Sequence, residues 1–339
     1  MSLLRNIIKI VLPFAFGVGI LWWMYREADL VSFWHSLWHE MHWGWMLLSL
    51  IFGVTAQTFR ARRWKLALAP VGEYPRLRSC IDSVFLSYAA SLVVPRIGEV
   101  TRCGTLKRVD DTSFSKSLGT VVTERIVDSL LMILLSAFAL IVQLPTFLRF
   151  LHSTGTSGRD ILNRFTSTGY IVTAISIVTI VAMLLFWLTR YAQLKQANDI
   201  VKNLKAGILS LRRVTNLPLY LAYSVGIWLS YYLHFYIAFF CFDFTSSFSP
   251  LTVLLIFCVG SYAVIVPTPN GAGPWHFAVK TMLVIYGVGE TPAVMFALIV
   301  HTVQTFLVVL LGIGGWADLN FIPKRKNNTE NTNIPNKEQ

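Results

Sequence analysis

The sequence predicts an all-α polytopic membrane protein with about six spanning helices and two oppositely inserted re-entrant helical hairpins, compatible with an inverted repeat. Three observations lead there. Hydrophobic residues make up 55% of the 339 and charged residues only 14%, where a soluble domain carries about 25% charged. Mean hydropathy is +0.58, and apolar runs such as Ile171 to Leu188 exceed what a soluble core requires. Finally, two of the apolar regions are broken by proline and glycine in a way a plain span does not tolerate.

A span needs about 20 mostly apolar residues. Ile7–Tyr25, Trp43–Leu68, Ser117–Gln143, Gly169–Arg190, Leu219–Phe242 and Pro292–Trp316 satisfy that length. The first has basic flanks and no small-residue cleavage site, so it reads as a retained span rather than a signal peptide. Cys80–Leu106 is interrupted by Pro95, Gly98 and Gly104 and holds Arg96, Glu99 and Arg102. Leu251–Val288 is interrupted by the run from Pro267 to Pro274. Non-helical backbone at membrane depth must be covered by protein or line a wet cavity.

Formal net charge is +12, from 29 Lys+Arg against 17 Asp+Glu. In this composition the surplus reads as positive-inside charge, partly against anionic lipid, and not as a nucleic-acid surface. Arg60, Arg62, Arg63, Lys65, Arg76 and Arg78 follow the second span, and Lys107, Arg108 and Lys116 precede the next. Lys195, Lys202, Lys205, Arg212 and Arg213 lie between the fourth and fifth spans, and Lys324-Arg325-Lys326 follow the last. If each broken region dips in and returns to its own face, these clusters all fall on the cytoplasmic side with both termini. That is the expected topology in an inner cell membrane, with a membrane domain over 1–320 and a polar, disordered tail over 321–339. Ser87-Tyr88-Ala89 before Val94-Pro95 echoes Ser261-Tyr262-Ala263 before Val266-Pro267, as an inverted repeat would.

Charges held at bilayer depth are functional candidates by default. Glu124 and Asp128 are four apart on one helical face, with Arg125 three from Asp128. They read either as an ion-pair node tying helices together or as cavity groups that bind a headgroup or relay protons. Arg96, Glu99 and Arg102 surround the first break, and the arginine fork suits phosphate. Asn270, Gly271 and Gly273 precede Pro274, favoured at a helix start. Bare amides there would form an anion site, the alternative being a tight turn that needs glycine only for its angles. His276 and Lys280 share the face of the helix that follows. His35, His39 and His42 alternate with tryptophans and read as an interfacial segment rather than a metal site. The four cysteines (Cys80, Cys103, Cys241, Cys258) form no CxxC pair and read as packing residues. No metal or other cofactor is expected, and no GxxxxGK[ST] loop signals an ATP-driven engine.

Taken together, Phe59-Arg60-Ala61-Arg62-Arg63-Trp64, Pro95 to Arg102, Thr123 to Asp128 and Val266 to Gly273 resemble, in that order, the flippase-like family named for the transmembrane region of lysylphosphatidylglycerol synthase. The resemblance implies lipid handling, since in the bifunctional synthases this region moves an aminoacylated phospholipid between leaflets. Archaeal relatives are linked to lipid-linked sugar transfer. The family's second glycine motif usually continues into a glutamate, where this chain has His276. With no stretch of the 339 residues available for a soluble aminoacyl-transferase, synthesis of the lysylated lipid is not expected.

The leading expectation is therefore a non-enzymatic protein that flips or scrambles an anionic, phosphate-bearing lipid through a groove at the two hairpins. Arg96, Arg102 and the Gly271 to Gly273 amides would hold the headgroup. Glu99, Glu124, Asp128 and His276 are the candidate proton carriers. Two other readings compete. A lipid-linked glycosyl or phosphoryl transferase lacks a donor domain here, and Asp110-Asp111 is adjacent rather than spaced. A scaffold would partner a separate lipid-modifying enzyme.

Overall fold

The fold is taken from a computed structural model, which describes residues 17–22, 36–153, 214, 216–266, 268–323 and 325, the side chains of 144–153 excepted. The expected spans Ile7–Tyr25 and Gly169–Arg190 lie mostly or wholly outside these residues, as do His35, Pro267 and 326–339. Among the described residues all regular elements are helical: α1 (Trp43–Leu68), α2 (Leu77–Val93), α3 (Gly98–Asp110), α4 (Phe114–Ser153), α5 (Leu217–Ala238), α6 (Pro250–Ala263), α7 (Pro274–Ile285) and α8 (Glu290–Phe321). This is an all-α polytopic membrane protein.

Local chemistry sets the helix starts. Asn216 Oδ1 accepts from the Leu219 amide at 3.1 Å at the head of α5, and Ser249 Oγ accepts from the Thr252 amide at 3.2 Å at the head of α6. Each cap satisfies an amide that has no partner within its own helix. By length and composition, Phe114–Gln143, Leu217–Cys241 and Glu290–Phe321 can cross a membrane. The 26-residue α1 is about 39 Å long at 1.5 Å per residue, but its last turns carry Arg60, Arg62, Arg63 and Lys65.

Helices α1 and α5 pack antiparallel. The His42 amide donates to the Cys241 carbonyl at 2.8 Å, His234 Nδ1 lies 2.7 Å from the Ser49 carbonyl, and Phe59 meets Tyr223 with ring centroids 5.7 Å apart. One buried core, including Trp64, Cys80, Val84, Cys103, Leu106 and Val121, joins α1 to α4. A second, rich in phenylalanine (Phe235, Phe239, Phe242, Phe257, Phe296), joins α5, α6 and α8. All four cysteines are buried and free within these cores.

Helix α8 serves as a ruler for the two hairpins. The base of the α2–α3 hairpin sits at its C-terminal end, where Arg78 pairs with Asp318 and Arg76 donates to the Pro323 carbonyl at 2.9 Å. The base of the α6–α7 hairpin sits at its N-terminal end, where Lys280 pairs with Glu290. Both tips reach the middle. Asn270 Nδ2 donates to Thr305 Oγ1 at 3.1 Å, and Arg96 Nη2 donates to the Ile265 carbonyl at 2.6 Å. The hairpins thus point at each other from opposite ends of α8, and their tips touch.

Close packing within the first hairpin depends on Gly98. A Cβ there would lie 2.2 Å from the Ser87 carbonyl oxygen and 2.5 Å from Ser91 Oγ, whereas one at Gly104 meets nothing within 4 Å. Gly98→Ala is expected to lose about 1–3 kcal/mol, the usual range for overpacking. Gly104→Ala should lose nothing. Thermal unfolding of the two purified variants in detergent checks the contrast.

Candidate functional site

Five charged residues of α1, α3 and α4 converge on one buried node. Arg63 is fully buried; its Nε donates to Glu124 Oε1 at 3.2 Å and its Nη1 to Asp128 Oδ1 at 2.6 Å. Arg60 Nη1 donates to Asp128 Oδ2 at 2.9 Å, and Arg102 Nη2 lies 3.0 Å from Glu124 Oε2. Antiparallel helices make this possible: carboxylates four apart on α4 face arginines three apart on α1. Aromatic rings complete the shell. The Arg102 guanidinium stands 4.6 Å from the Trp64 ring centroid. Arg60 sits 6.0 and 5.8 Å from the rings of Tyr88 and Tyr231, whose hydroxyls are 2.9 Å apart. Cation–π attraction strengthens when the cation is desolvated.

Beside the node lies a cavity of about 830 Å³ that both hairpin tips line. Ser87, Ser91, Arg96, Gly98, Glu99 and Arg102 border it from the first hairpin, and Ser261, Val264 to Val266, Thr268, Asn270, Gly271 and Trp275 from the second. Helix α1 adds Gln57 and Arg60, α4 adds Arg125 and Ser129, α5 adds Trp228, Tyr231 and His234, and α8 adds His301, Gln304 and Thr305. Its described lining thus holds four arginines and one carboxylate, Glu99, which pairs with Arg125 at 3.2 Å. Such a chamber suits an anion.

The family model for the lysylphosphatidylglycerol synthase TM region matches residues 10–312. The chain belongs to that family. No curated protein and no solved structure matches it. Membership makes this a membrane protein linked to lipid modification or transport, and in this member of the lysylphosphatidylglycerol synthase TM region family four arginines border one cavity.

Of the residues singled out from sequence, Arg96, Glu99, Arg102, Arg125, Asn270 and Gly271 border the cavity. Glu124 and Asp128 stand behind it in the node, on the one face their spacing indicated. Gly273, His276 and Lys280 are not among its lining residues. The helix-end amides are a correction. The Gly271 amide donates to the Thr268 carbonyl at 3.2 Å and the Ala272 amide to the Pro269 carbonyl at 2.9 Å, while the Gly273 amide donates to His276 Nδ1 at 3.3 Å. With these N–H groups consumed by the turn, no bare anion site remains at Gly271 to Gly273. His276 acts as a cap: it is buried, with its ring 4.4 Å from that of His301. A second correction concerns Arg60 and Arg63. Counted above in the basic cluster after the second span, they lie within that span and turn inward to the carboxylates. At the proposed interfacial histidines, His42 Nε2 pairs with Asp243 at 3.1 Å.

The sequence reading passed over His301, Gln304 and Thr305. His301 Nε2 donates to the Asn270 carbonyl at 3.2 Å and Thr305 accepts from the Asn270 side chain, holding a residue whose φ is +50°. Polar side chains spaced three and four apart in an otherwise apolar span were the available signal.

Removing one partner of a buried ion pair leaves a charge without compensation, at a cost of about 3–5 kcal/mol. Arg63→Ala, which takes one of two arginine partners from each of Glu124 and Asp128 and leaves them Arg102 and Arg60, is expected to lose stability toward the lower end of that range. Arg62→Ala, exposed one position away, should stay close to wild type in the same denaturation titration.

Proposed function

We propose that the chain moves an anionic, phosphate-bearing lipid between leaflets, with the two hairpins re-entrant and their touching tips forming the floor of the headgroup path. The observation that carries this is the cavity itself, an arginine-lined chamber at the meeting point of two interrupted hairpins. Its volume of about 830 Å³ lies within the usual range of about 300–1,000 Å³ for ligand sites. Apolar side chains stand exposed around the same tips: Val93 at 73%, Val100 at 50% and Ile265 at 61%. They offer lipid tails a surface outside while the headgroup occupies the chamber. Arginines lining the chamber would lower the desolvation cost that blocks spontaneous flipping.

The reading is non-enzymatic, with no cofactor, and places the protein in the cell membrane with both termini cytoplasmic. Transport would be passive or ion-coupled. Glu99 is the proton carrier favoured by position, because it borders the cavity half-exposed with one arginine partner, Arg125, whereas the buried Glu124 and Asp128 are each held by two. Ser87 and Ser261, the first residues of the echoed tripeptides, both border the chamber, as pseudo-equivalent positions of an inverted repeat would.

Full-length protein reconstituted in liposomes with a fluorescent anionic phospholipid is the direct test. Transbilayer movement should exceed that of protein-free liposomes, and Arg96→Gln should slow it by about tenfold, equivalent to 1.4 kcal/mol. Arg62→Gln should not slow it. Rates equal to those of empty liposomes would refute the proposal.

A further inference from the structure

Charge in and around the cavity does not balance among the described residues. In the node, Arg60, Arg63 and Arg102 face Glu124 and Asp128, which leaves one cation in excess. Arg125 and Glu99 cancel. Arg96 has no carboxylate partner among the described residues; its Nη2 donates to the Ile265 carbonyl, leaving most of its five N–H donors for another acceptor. The surplus is two positive charges, and both excess centres border the same cavity.

Unmet hydrogen-bonding capacity lies in the same place. Among the described residues, the buried Arg102 Nη1 and Arg60 Nε have no hydrogen-bond partner, on side chains that border the cavity. An N–H left unpaired on a buried cation is costly, and a phosphate oxygen is the acceptor such donors suit best. One phosphodiester charge would still leave one of the two surplus cations uncompensated.

From this we infer that the bound headgroup carries two negative charges on phosphate, as a phosphomonoester or a diphosphate, in preference to a singly charged phosphodiester. This rests on the translocation reading only in taking the ligand to be a lipid. The charge count itself is independent of transport.

The test is binding to the full chain in detergent, followed by the fluorescence of Trp228 and Trp275 at the cavity wall. Three probes are titrated: short-chain phosphatidic acid, phosphatidylglycerol with the same acyl chains, and inorganic pyrophosphate. A pH near 8 ensures that the monoester, with a second pKa of about 6, is doubly ionised. Phosphatidic acid should bind about tenfold or more tighter than phosphatidylglycerol, and Arg96→Gln should abolish that preference. Arg96→Gly should abolish it too. Glycine suits the φ of +65° at this position, so that variant separates loss of charge from loss of the turn. Equal affinities, or a preference that survives both variants, would overturn the inference. Pyrophosphate displacing the lipid at matching concentration would overturn a lipid source and assign the site to a soluble phosphate. Binding of none of the three overturns the inference together with the cavity reading. Selective binding without lipid movement in liposomes upholds the inference and removes only translocation.

Discussion

Arg63 is fully buried between two carboxylates of the facing helix, and the rest of the site is arranged around the need to keep that charge compensated. A buried ion is tolerated only when its partners are close and aligned. That requirement fixes the register of α1 against α4, because Arg60 and Arg63 must meet Asp128 and Glu124 together. It also ties the first hairpin to the same pair of helices, since Arg102 of α3 completes the coordination of Glu124. Three elements are locked by one electrostatic constraint, and the cavity opens where the locked charges outnumber their counter-charges.

The hairpin tips follow from a different constraint. Pro95 and the run from Thr268 to Pro274 cannot continue a helix, so their backbone groups need partners from elsewhere. In the second tip the turn supplies its own, through Thr268, Pro269 and His276, while from α8 His301 meets the Asn270 carbonyl and Thr305 holds the Asn270 side chain. In the first tip, Gly98 lets α3 start against the Ser87 carbonyl, and its amide donates to Ser91 Oγ at 3.1 Å. With these amides paired, side chains become the polar surface offered to the cavity. Guanidinium groups line it, and the helix-end amides are already paired.

Much of this arrangement was legible one residue at a time. The breaks at Pro95 and at 267–274, the placement of Glu124 and Asp128 on one face, and the candidacy of Arg96, Glu99, Arg102 and Asn270 could all be read from residue type and spacing. Arg60 and Arg63 were misread because a cluster of basic residues after an apolar run looks the same whether it enters a loop or turns inward. His301, Gln304 and Thr305 were overlooked because each is a minor interruption in a helix that is apolar on average.

Composition and periodicity alone determined that the chain lives in a membrane, that it is helical, and where its helices must break, because these depend on each segment's own solvation and backbone freedom. The tertiary structure decided which charges pair, that the glycine-turn amides are already occupied, and that two breaks far apart in sequence meet beside the middle of α8. Those outcomes depend on distances between separate helices. A linear sequence encodes which groups need partners, but only the packed structure shows which partners they find.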